Sequence, residues 1–184
     1  SPTEVPFDKD LVNAGIVCID NQVAFARTPI QIRESSTTHV FKNKTDRQKL
    51  PLDGIKVVEF TAYAAGPLTG FMLASLGAEV IKIEPPIGEE GRKFKPQFDG
   101  ISGYYINYNA GKKSIAIDLN DPENKKKILR LIESADVVLH NMRPGAMDKL
   151  GFGIEDLHQI NPGLVFCSIS GYGLNGPKLA ALDT

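Results

Sequence analysis

Short apolar runs alternate with helical patterns through most of this sequence, and this alternation constrains its fold more than any other feature. The apolar runs have the length and composition of buried strands and cover residues 55–60, 78–84, 113–119, 135–141 and 164–170. Helical patterns separate them, at 66–77, 146–151 and 154–160 and in the segment that starts at residue 121. Strands joined through helices form right-handed crossovers. The sequence therefore predicts an α/β domain with a mainly parallel sheet and flanking helices.

Two of the predicted helices carry clear end signals. Asp121 and Pro122 supply an N-cap side chain and a proline at the first helical position. Gly77 is a natural closing residue for the helix over 66–77. These signals separate the helices from the strands that they connect.

Residues 1–50 have a different character from residues 51–184, which gives two predicted regions. In the first region the runs 15–20 and 28–32 resemble strands, whereas residues 35–49 are polar and have no period. We expect residues 1–50 to form an arm or linker. Residues 51–184 form the α/β region.

Composition excludes several classes of function. The net charge of −1 gives no electrostatic reason to expect nucleic acid, and the lysines at 125–127 suit a solvated helix face. No apolar run approaches the roughly 18 residues of a membrane span, and no signal peptide opens the sequence. Cys18 and Cys167 suggest neither a disulfide framework nor a metal site. We expect a cytoplasmic protein, or one of an organelle matrix, without membrane or metal.

Ligands of open parallel sheets bind outside the carboxyl ends of the strands. Four segments of this chain follow strand ends, namely 61–66, 84–92, 141–145 and 171–178. A dinucleotide site would fit Glu84 at the end of the second strand. However, the turn AYAAGPLTG lacks G-x-G-x-x-G, and Pro67 removes an N–H donor. The sequence therefore predicts neither nicotinamide nor flavin.

Three side chains near the predicted strand ends invite functional interpretations. His140 could be catalytic, but without a carboxylate or nucleophile at fixed spacing a structural role is favoured. Arg143 lies in the turn after a strand and Lys149 follows two turns later. Both could bind phosphates at the sheet edge, or they could be surface cations near helix ends.

Four sequence blocks carry a resemblance to a known family. They are VVEFT…AGP…LASLGAEVIKIE, YYINYNAGKKSIAIDL, ADVVLHNMRPGAMDKLGFG and INPGLVFCSISGYGLNGP, in this order over residues 50–184. The order resembles the amino-terminal part of the class III coenzyme A (CoA) transferases. The resemblance implies a Rossmann-like domain, acyl-CoA and a carboxylic acid as substrates, and an interlocked homodimer.

The resemblance also implies site residues, matched position by position. Asn141 and Met142 correspond to an Asn-Phe pair beside the CoA, and Arg143 belongs to the same turn. Lys149 lies where an arginine usually meets phosphate, and Ile117 lies where the family places an apolar contact to the adenosine.

The sequence departs from the family pattern at two of these positions. Ala64 replaces a glutamine found in some transferases, and Pro85 stands where an arginine often follows IKIE. The departures bear on the acyl specificity and on how the nucleotide is held.

The family's transferases use an aspartate that attacks the thioester, which implies an aspartyl intermediate. That aspartate is expected beyond residue 184, and Asp183 is a candidate site residue within the chain. The leading expectation is a CoA-transferase, with this chain binding the CoA. The alternatives are a racemase-like or lyase activity, in which a His-Asp pair removes an α-proton, and a non-catalytic CoA-binding or dimerisation module. A short match of residues 1–50 to the end of family members suggests the tail of a preceding homologous copy.

Overall fold

The computed structural model describes residues 9, 13, 17–20, 23–26, 32–33 and 50–173. Asp183 and most of the predicted strand 28–32 lie outside the described residues, and Ile32 itself is not in a strand. The predicted strand 15–20 is observed as β1 over Val17–Asp20, which pairs with β2, Val23–Ala26, in an antiparallel hairpin. The sequence analysis did not predict β2.

The elements of the central sheet follow the predicted alternation, whereas the two-residue strands at 97–98 and 101–102 and the helix at 103–109 were not predicted. The strands are β3 Lys56–Phe60, β4 Glu79–Glu84, β5 Gln97–Phe98, β6 Ile101–Ser102, β7 Lys113–Ala116, β8 Val137–His140 and β9 Val165–Ser168. The helices are α1 Ala65–Ser75, α2 Gly103–Asn109, α3 Pro122–Glu133, α4 Ala146–Leu150 and α5 Ile154–Ile160, with a 3₁₀ turn at Glu90–Lys93. The predicted helix ends are confirmed at Asp121, whose side chain accepts the Glu123 N–H at 2.9 Å, and at Gly77, whose φ is +105°.

A five-stranded, wholly parallel sheet forms the centre of the fold. Its strand order is β7-β4-β3-β8-β9, so the chain moves outward from β3 in one direction and then returns to the other side at β8. This is the strand order of a Rossmann-like domain, and the predicted α/β class is confirmed. The crevice between the ends of β3 and β8 is the topological switch point, where such sheets bind ligands.

Two apolar layers enclose the sheet. On one face, Val58, Phe60 and Val138 pack with Ile128 and Ile132 of α3. The Phe60 and Phe152 rings also meet on this face, with their centroids 5.3 Å apart. On the other face lies a second cluster of Val57, Ala78, Val80 and Leu139, to which Leu73 and Ala74 of α1 contribute. Both layers leave the carboxyl edge of the sheet open.

Candidate functional site

A cavity of about 640 Å³ lies at the carboxyl edge of the sheet. Its walls come from the segments that follow β3, β4, β7 and β8, with lining residues in the ranges 60–63, 83–90, 117–120 and 141–146. Three of the four segments predicted from strand ends therefore meet here. In the fourth, residues 171–173 are not in the lining and residues 174–178 lie outside the described part of the chain.

The structure brings most of the predicted binding residues together. The lining includes Asn141, Met142, Arg143, Ile117 and Pro85, although they come from three separate stretches of the sequence. Ala64 and Lys149 are not in the lining. Ala64 is the N-cap residue of α1, and Lys149 is exposed on α4.

Asn141 connects the segment after β8 to the segment after β3, on the two sides of the switch point. Its side-chain Oδ1 accepts the Ala62 N–H at 2.9 Å, and its Nδ2 donates to the Ala62 carbonyl at 2.9 Å. The amide therefore mimics a strand partner for the segment after β3. A residue predicted to contact a ligand thus also positions the wall of the cavity.

Glu84 is fully engaged by protein donors at the end of β4. Its carboxylate receives Arg92 Nε at 2.7 Å and Nη2 at 2.6 Å, the Tyr105 hydroxyl at 2.8 Å, the Ser114 hydroxyl at 2.5 Å and the Glu89 N–H at 3.0 Å. Burial alone would favour the neutral acid, but these hydrogen bonds outweigh it and lower the pKa of Glu84 to about 2. Glu84 therefore organises the turn after β4 and anchors α2 and β7 to it.

A set of buried charges lies under α1, and the sequence analysis missed it. This buried charge cluster consists of Glu59, Lys82, Glu89 and Lys112. Lys82 Nζ lies 3.3 Å from Glu59 Oε1 and 3.2 Å from Glu89 Oε2, and Lys112 Nζ lies 2.9 Å from Glu59 Oε1. Two carboxylates and two ammonium groups balance in charge, as buried ions require.

Burial shifts two members of the cluster in the directions that desolvation predicts. It raises the pKa of the Glu89 carboxyl, although Lys82 opposes this, and it lowers the pKa of the Lys112 ammonium, although Glu59 opposes this. A signal for the cluster was present in the sequence. A charged residue stands inside each of the apolar runs VVEF and VIKIE, and the parallel register places Glu59 beside Lys82 on one face.

Two glycines of α1 allow the helix to lie close to the sheet, Gly70 over the buried charge cluster and Gly66 beside it. A Cβ at Gly70 would overlap the Glu59 carboxylate, and a Cβ at Gly66 would overlap the Thr61 side chain and the Asn141 amide. The Gly-Pro-Leu-Thr-Gly run, with which the predicted helix over 66–77 begins, thus also allows a close approach to the sheet.

His140 lies in the core and is not in the cavity lining. Its side chain is buried, its ring centroid is 4.9 Å from that of Phe166, and neither ring nitrogen has a hydrogen-bond partner among the described residues. Burial lowers the pKa of His140 to about 4, with Asp148 opposing weakly, so the imidazole is neutral near pH 7. This placement agrees with the structural interpretation of His140.

The described residues contain neither a cluster of metal ligands nor a membrane-spanning helix. No group of three or more His, Cys, Asp or Glu side chains is arranged to hold a metal ion. No helix in this part of the chain is long and apolar enough to cross a membrane.

Known proteins resemble this chain in both sequence and fold. The profile of CoA-transferase family III matches residues 52–183. The chain belongs to this family. The resemblance that the four sequence blocks predicted is therefore confirmed.

Individual members of CoA-transferase family III are similar to this chain over about 70% of its length. A probable fatty acyl-CoA transferase of Mycobacterium tuberculosis is 46% identical over 136 residues, which cover 72% of this chain and 34% of that protein. Human succinyl-CoA:glutarate CoA-transferase is 43% identical over 129 residues, 69% of this chain and 30% of that protein. The chain thus spans about a third of the length of these relatives.

Solved family structures superpose on the same region. A CaiB/BaiF family protein from Brucella suis has a TM-score of 0.69 and 41% identity, covering 73% of this chain and 37% of that one. The orthorhombic form of the M. tuberculosis protein gives a TM-score of 0.68 and 44% identity, covering 73% and 38%. At these identities the likeness supports both the fold and the family.

Proposed function

We propose that the protein to which this chain belongs transfers CoA between an acyl-CoA thioester and a carboxylic acid, and that this chain supplies the wall that binds CoA. The observation that carries the proposal is the cavity at the switch point of the sheet. A volume of about 640 Å³ lies in the range of roughly 300–1,000 Å³ that ligand pockets occupy.

The chemistry of the lining suits a nucleotide thioester. Ile83, Ile117 and Leu119 present apolar side chains on which an adenosine can pack. Arg143 is the one Lys or Arg among the described residues that line the cavity, and it is exposed at the turn after β8. Glu89 and Asp118 also line it, so we assign the phosphates of CoA to the Arg143 side of the cavity.

In the proposed reaction, an aspartate outside residues 1–184 attacks the thioester carbonyl carbon. The C–S bond breaks, CoA leaves as the thiolate, and an acyl-aspartyl anhydride forms. The thiolate then attacks the aspartyl carbonyl, which releases the first acid and leaves an aspartyl-CoA thioester. The second acid exchanges with it by the same two steps in reverse. No electrons are transferred, so the exchange needs neither nicotinamide nor flavin.

The proposal extends to assembly and compartment. Leu68 and Met72 of α1 and its C-cap residue Leu76 form an exposed stripe at intervals of four residues. An exposed apolar stripe of this kind favours a helix that another part of the whole protein covers. The interlocked homodimer implied by the family resemblance would require such a covered helix. Cys167 is a free, half-buried thiol, which suits the reducing cytoplasm or an organelle matrix.

CoA binding by the chain can be measured calorimetrically, with Arg143→Ala as the test variant. Charge-assisted hydrogen bonds contribute about 1.5–3 kcal/mol, so the dissociation constant for CoA is expected to rise about tenfold or more. Arg130→Ala is the matched control, since Arg130 is exposed on α3 and does not line the cavity. Equal affinity of the two variants would contradict the phosphate assignment.

The reaction is tested in the full-length protein by mass spectrometry in D₂O. Succinyl-CoA and glutarate are the first pair to try, because the human relative is named for them. Formation of glutaryl-CoA without deuterium at the α-carbon supports transfer. Deuterium uptake without CoA exchange would instead support the racemase-like alternative, and binding without either reaction would support a non-catalytic module.

A further inference from the structure

Lys82 is the hub of the buried charge cluster, and its partners lie in two separate walls of the cavity. Lys82 is 0% exposed. Its Nζ donates to the Thr61 carbonyl at 2.8 Å and lies 3.2 Å from Glu89 Oε2. Thr61 belongs to the segment after β3 and Glu89 to the segment after β4, and both residues line the cavity. Lys82 itself is not among the lining residues.

The wall next to Thr61 has a backbone that requires outside restraint. Tyr63 adopts a φ of +65°, a left-handed conformation that a bulky residue rarely takes without support from its surroundings. The chain before it is held at Thr61 by Lys82 and at Ala62 by the two hydrogen bonds of Asn141. Lys82 thus restrains this turn together with Asn141 and with Glu59, which accepts a hydrogen bond from the Thr61 hydroxyl.

The wall that contains Glu89 depends on Lys82 for a different reason. The Glu89 side chain is 3% exposed, and neither of its oxygens has a hydrogen bond among the described residues, so the Lys82 ammonium is its close counter-charge. Glu59 lies on the other side of the same ammonium, at 3.3 Å. Without the Lys82 ammonium, the buried Glu89 carboxylate would lose its close counter-charge and move toward solvent, whether or not Glu59 is ionised.

We propose that Lys82 is a positioning residue for the CoA cavity, which it shapes by holding the Thr61 wall and the Glu89 wall at a fixed separation. The inference rests on the proposed function, in which this cavity binds CoA. Lys82 does not line the cavity, yet by this inference its loss weakens the binding of CoA. If loss of Lys82 leaves one molecule in ten with the walls in place, the apparent affinity falls about tenfold.

The test compares two double variants that remove the same number of buried charges. Glu59→Gln/Lys82→Gln leaves the Glu89 and Lys112 charges, whereas Glu59→Gln/Lys112→Gln leaves those of Glu89 and Lys82. Both keep the cluster neutral, so neither leaves a net buried charge that would prevent folding. Lys112 is the matched control because it bonds Glu59, the Pro67 carbonyl at 2.8 Å and the Asn109 side chain at 3.1 Å, and none of these three residues lines the cavity.

We expect the Lys82 double variant to bind CoA about tenfold more weakly, and the Lys112 double variant to stay within about threefold of the unsubstituted chain. The second measurement is amide hydrogen exchange without ligand. The Ala62 N–H donates to Asn141 and the Glu89 N–H donates to Glu84. Both amides should exchange faster in the Lys82 variant alone, while the amides of α3 should stay protected in both variants.

The two measurements separate this inference from the proposed function. If the unsubstituted chain does not bind CoA, the proposed function fails, and the exchange rates still test whether Lys82 positions the walls. If Ala62 and Glu89 exchange equally in the two folded variants, the positioning role is overturned. Faster exchange in the Lys82 variant with unchanged CoA affinity also overturns it, because wall position would then not govern binding.

Discussion

Glu84 offers the most quantitative prediction, because its ionised state is tied to so many donors. The perturbation is Glu84→Gln, which keeps the shape of the side chain but removes its negative charge. In the unsubstituted protein, Arg92 donates to this carboxylate from two nitrogens, at 2.7 and 2.6 Å. The glutamine amide also accepts hydrogen bonds only at its oxygen, whereas both carboxylate oxygens of Glu84 accept them. The bonds from Tyr105, Ser114 and the Glu89 N–H therefore have to rearrange around one acceptor fewer.

The magnitude follows from the pKa of Glu84, about 2 in the folded protein against 4.5 for a free glutamate. Each pKa unit corresponds to about 1.4 kcal/mol, so the carboxylate contributes about 3 kcal/mol at neutral pH. Because the folded-state pKa is the lower one, the unfolded chain takes up the proton first as the pH falls. The contribution is therefore complete above pH 4.5 and is lost as the pH falls toward 2.

The assay is urea unfolding of both proteins at several pH values from 7 down to 3. The variant should be less stable by about 3 kcal/mol at pH 7, and the difference should shrink to less than about half of that at pH 3. Glu90→Gln is the control, since Glu90 lies in the same turn but its side chain is 50% exposed and pairs with exposed Lys93. The Glu90→Gln substitution should lower the free energy of unfolding by less than about 1 kcal/mol. A Glu84→Gln difference that does not change with pH would refute the reasoning.

Two further substitutions test how α1 and α3 are built. Gly70→Ala should destabilise the chain by about 1–3 kcal/mol, because the new Cβ overlaps the Glu59 carboxylate. In the control variant Gly103→Ala, the new Cβ would lie 3.5 Å or more from neighbouring atoms. Its stability in thermal unfolding should be unchanged or slightly higher. Equal losses of stability in the two variants would contradict the close approach of α1 to the sheet. Asp121→Ala should lower the free energy of unfolding by about 1 kcal/mol, because the Glu123 N–H loses its cap; rescue by Asp121→Ser and not by Asp121→Val would identify capping as the cause.

Most of the central sheet could be predicted from the sequence, since its five strands are marked by apolar runs with turn residues between them. Apart from the hairpin strand β2, the elements that were missed are very short or polar. α2 lies in YYINYN, where polar and aromatic residues mix without a clear apolar period. β5 and β6 have two residues each, and such pairs leave no periodic signal.

The candidate site was predicted in outline. The rule that ligands bind at the carboxyl ends of parallel strands selected the segment 141–145. Within it, the family resemblance implied Asn141 and Met142 and the charge in the turn suggested Arg143, and all three line the cavity. Proximity in sequence was a poorer guide to detail. Lys149 lies only six positions after Arg143 but is exposed and not in the lining, and His140, the residue before Asn141, is buried in the core.

The sequence by itself determined the α/β class and the edge of the sheet that holds the cavity, because local periodicity and crossover handedness act within short stretches of chain. The family followed from the sequence in another way, through the resemblance of four sequence blocks to known members. The tertiary structure alone decided what the polar side chains do. Asn141 and Ala62 are 79 positions apart, and Lys112 and Glu59 are 53 apart. No local pattern encodes such pairings, since they arise only when parallel strands come into register and burial forces each charge to find a partner.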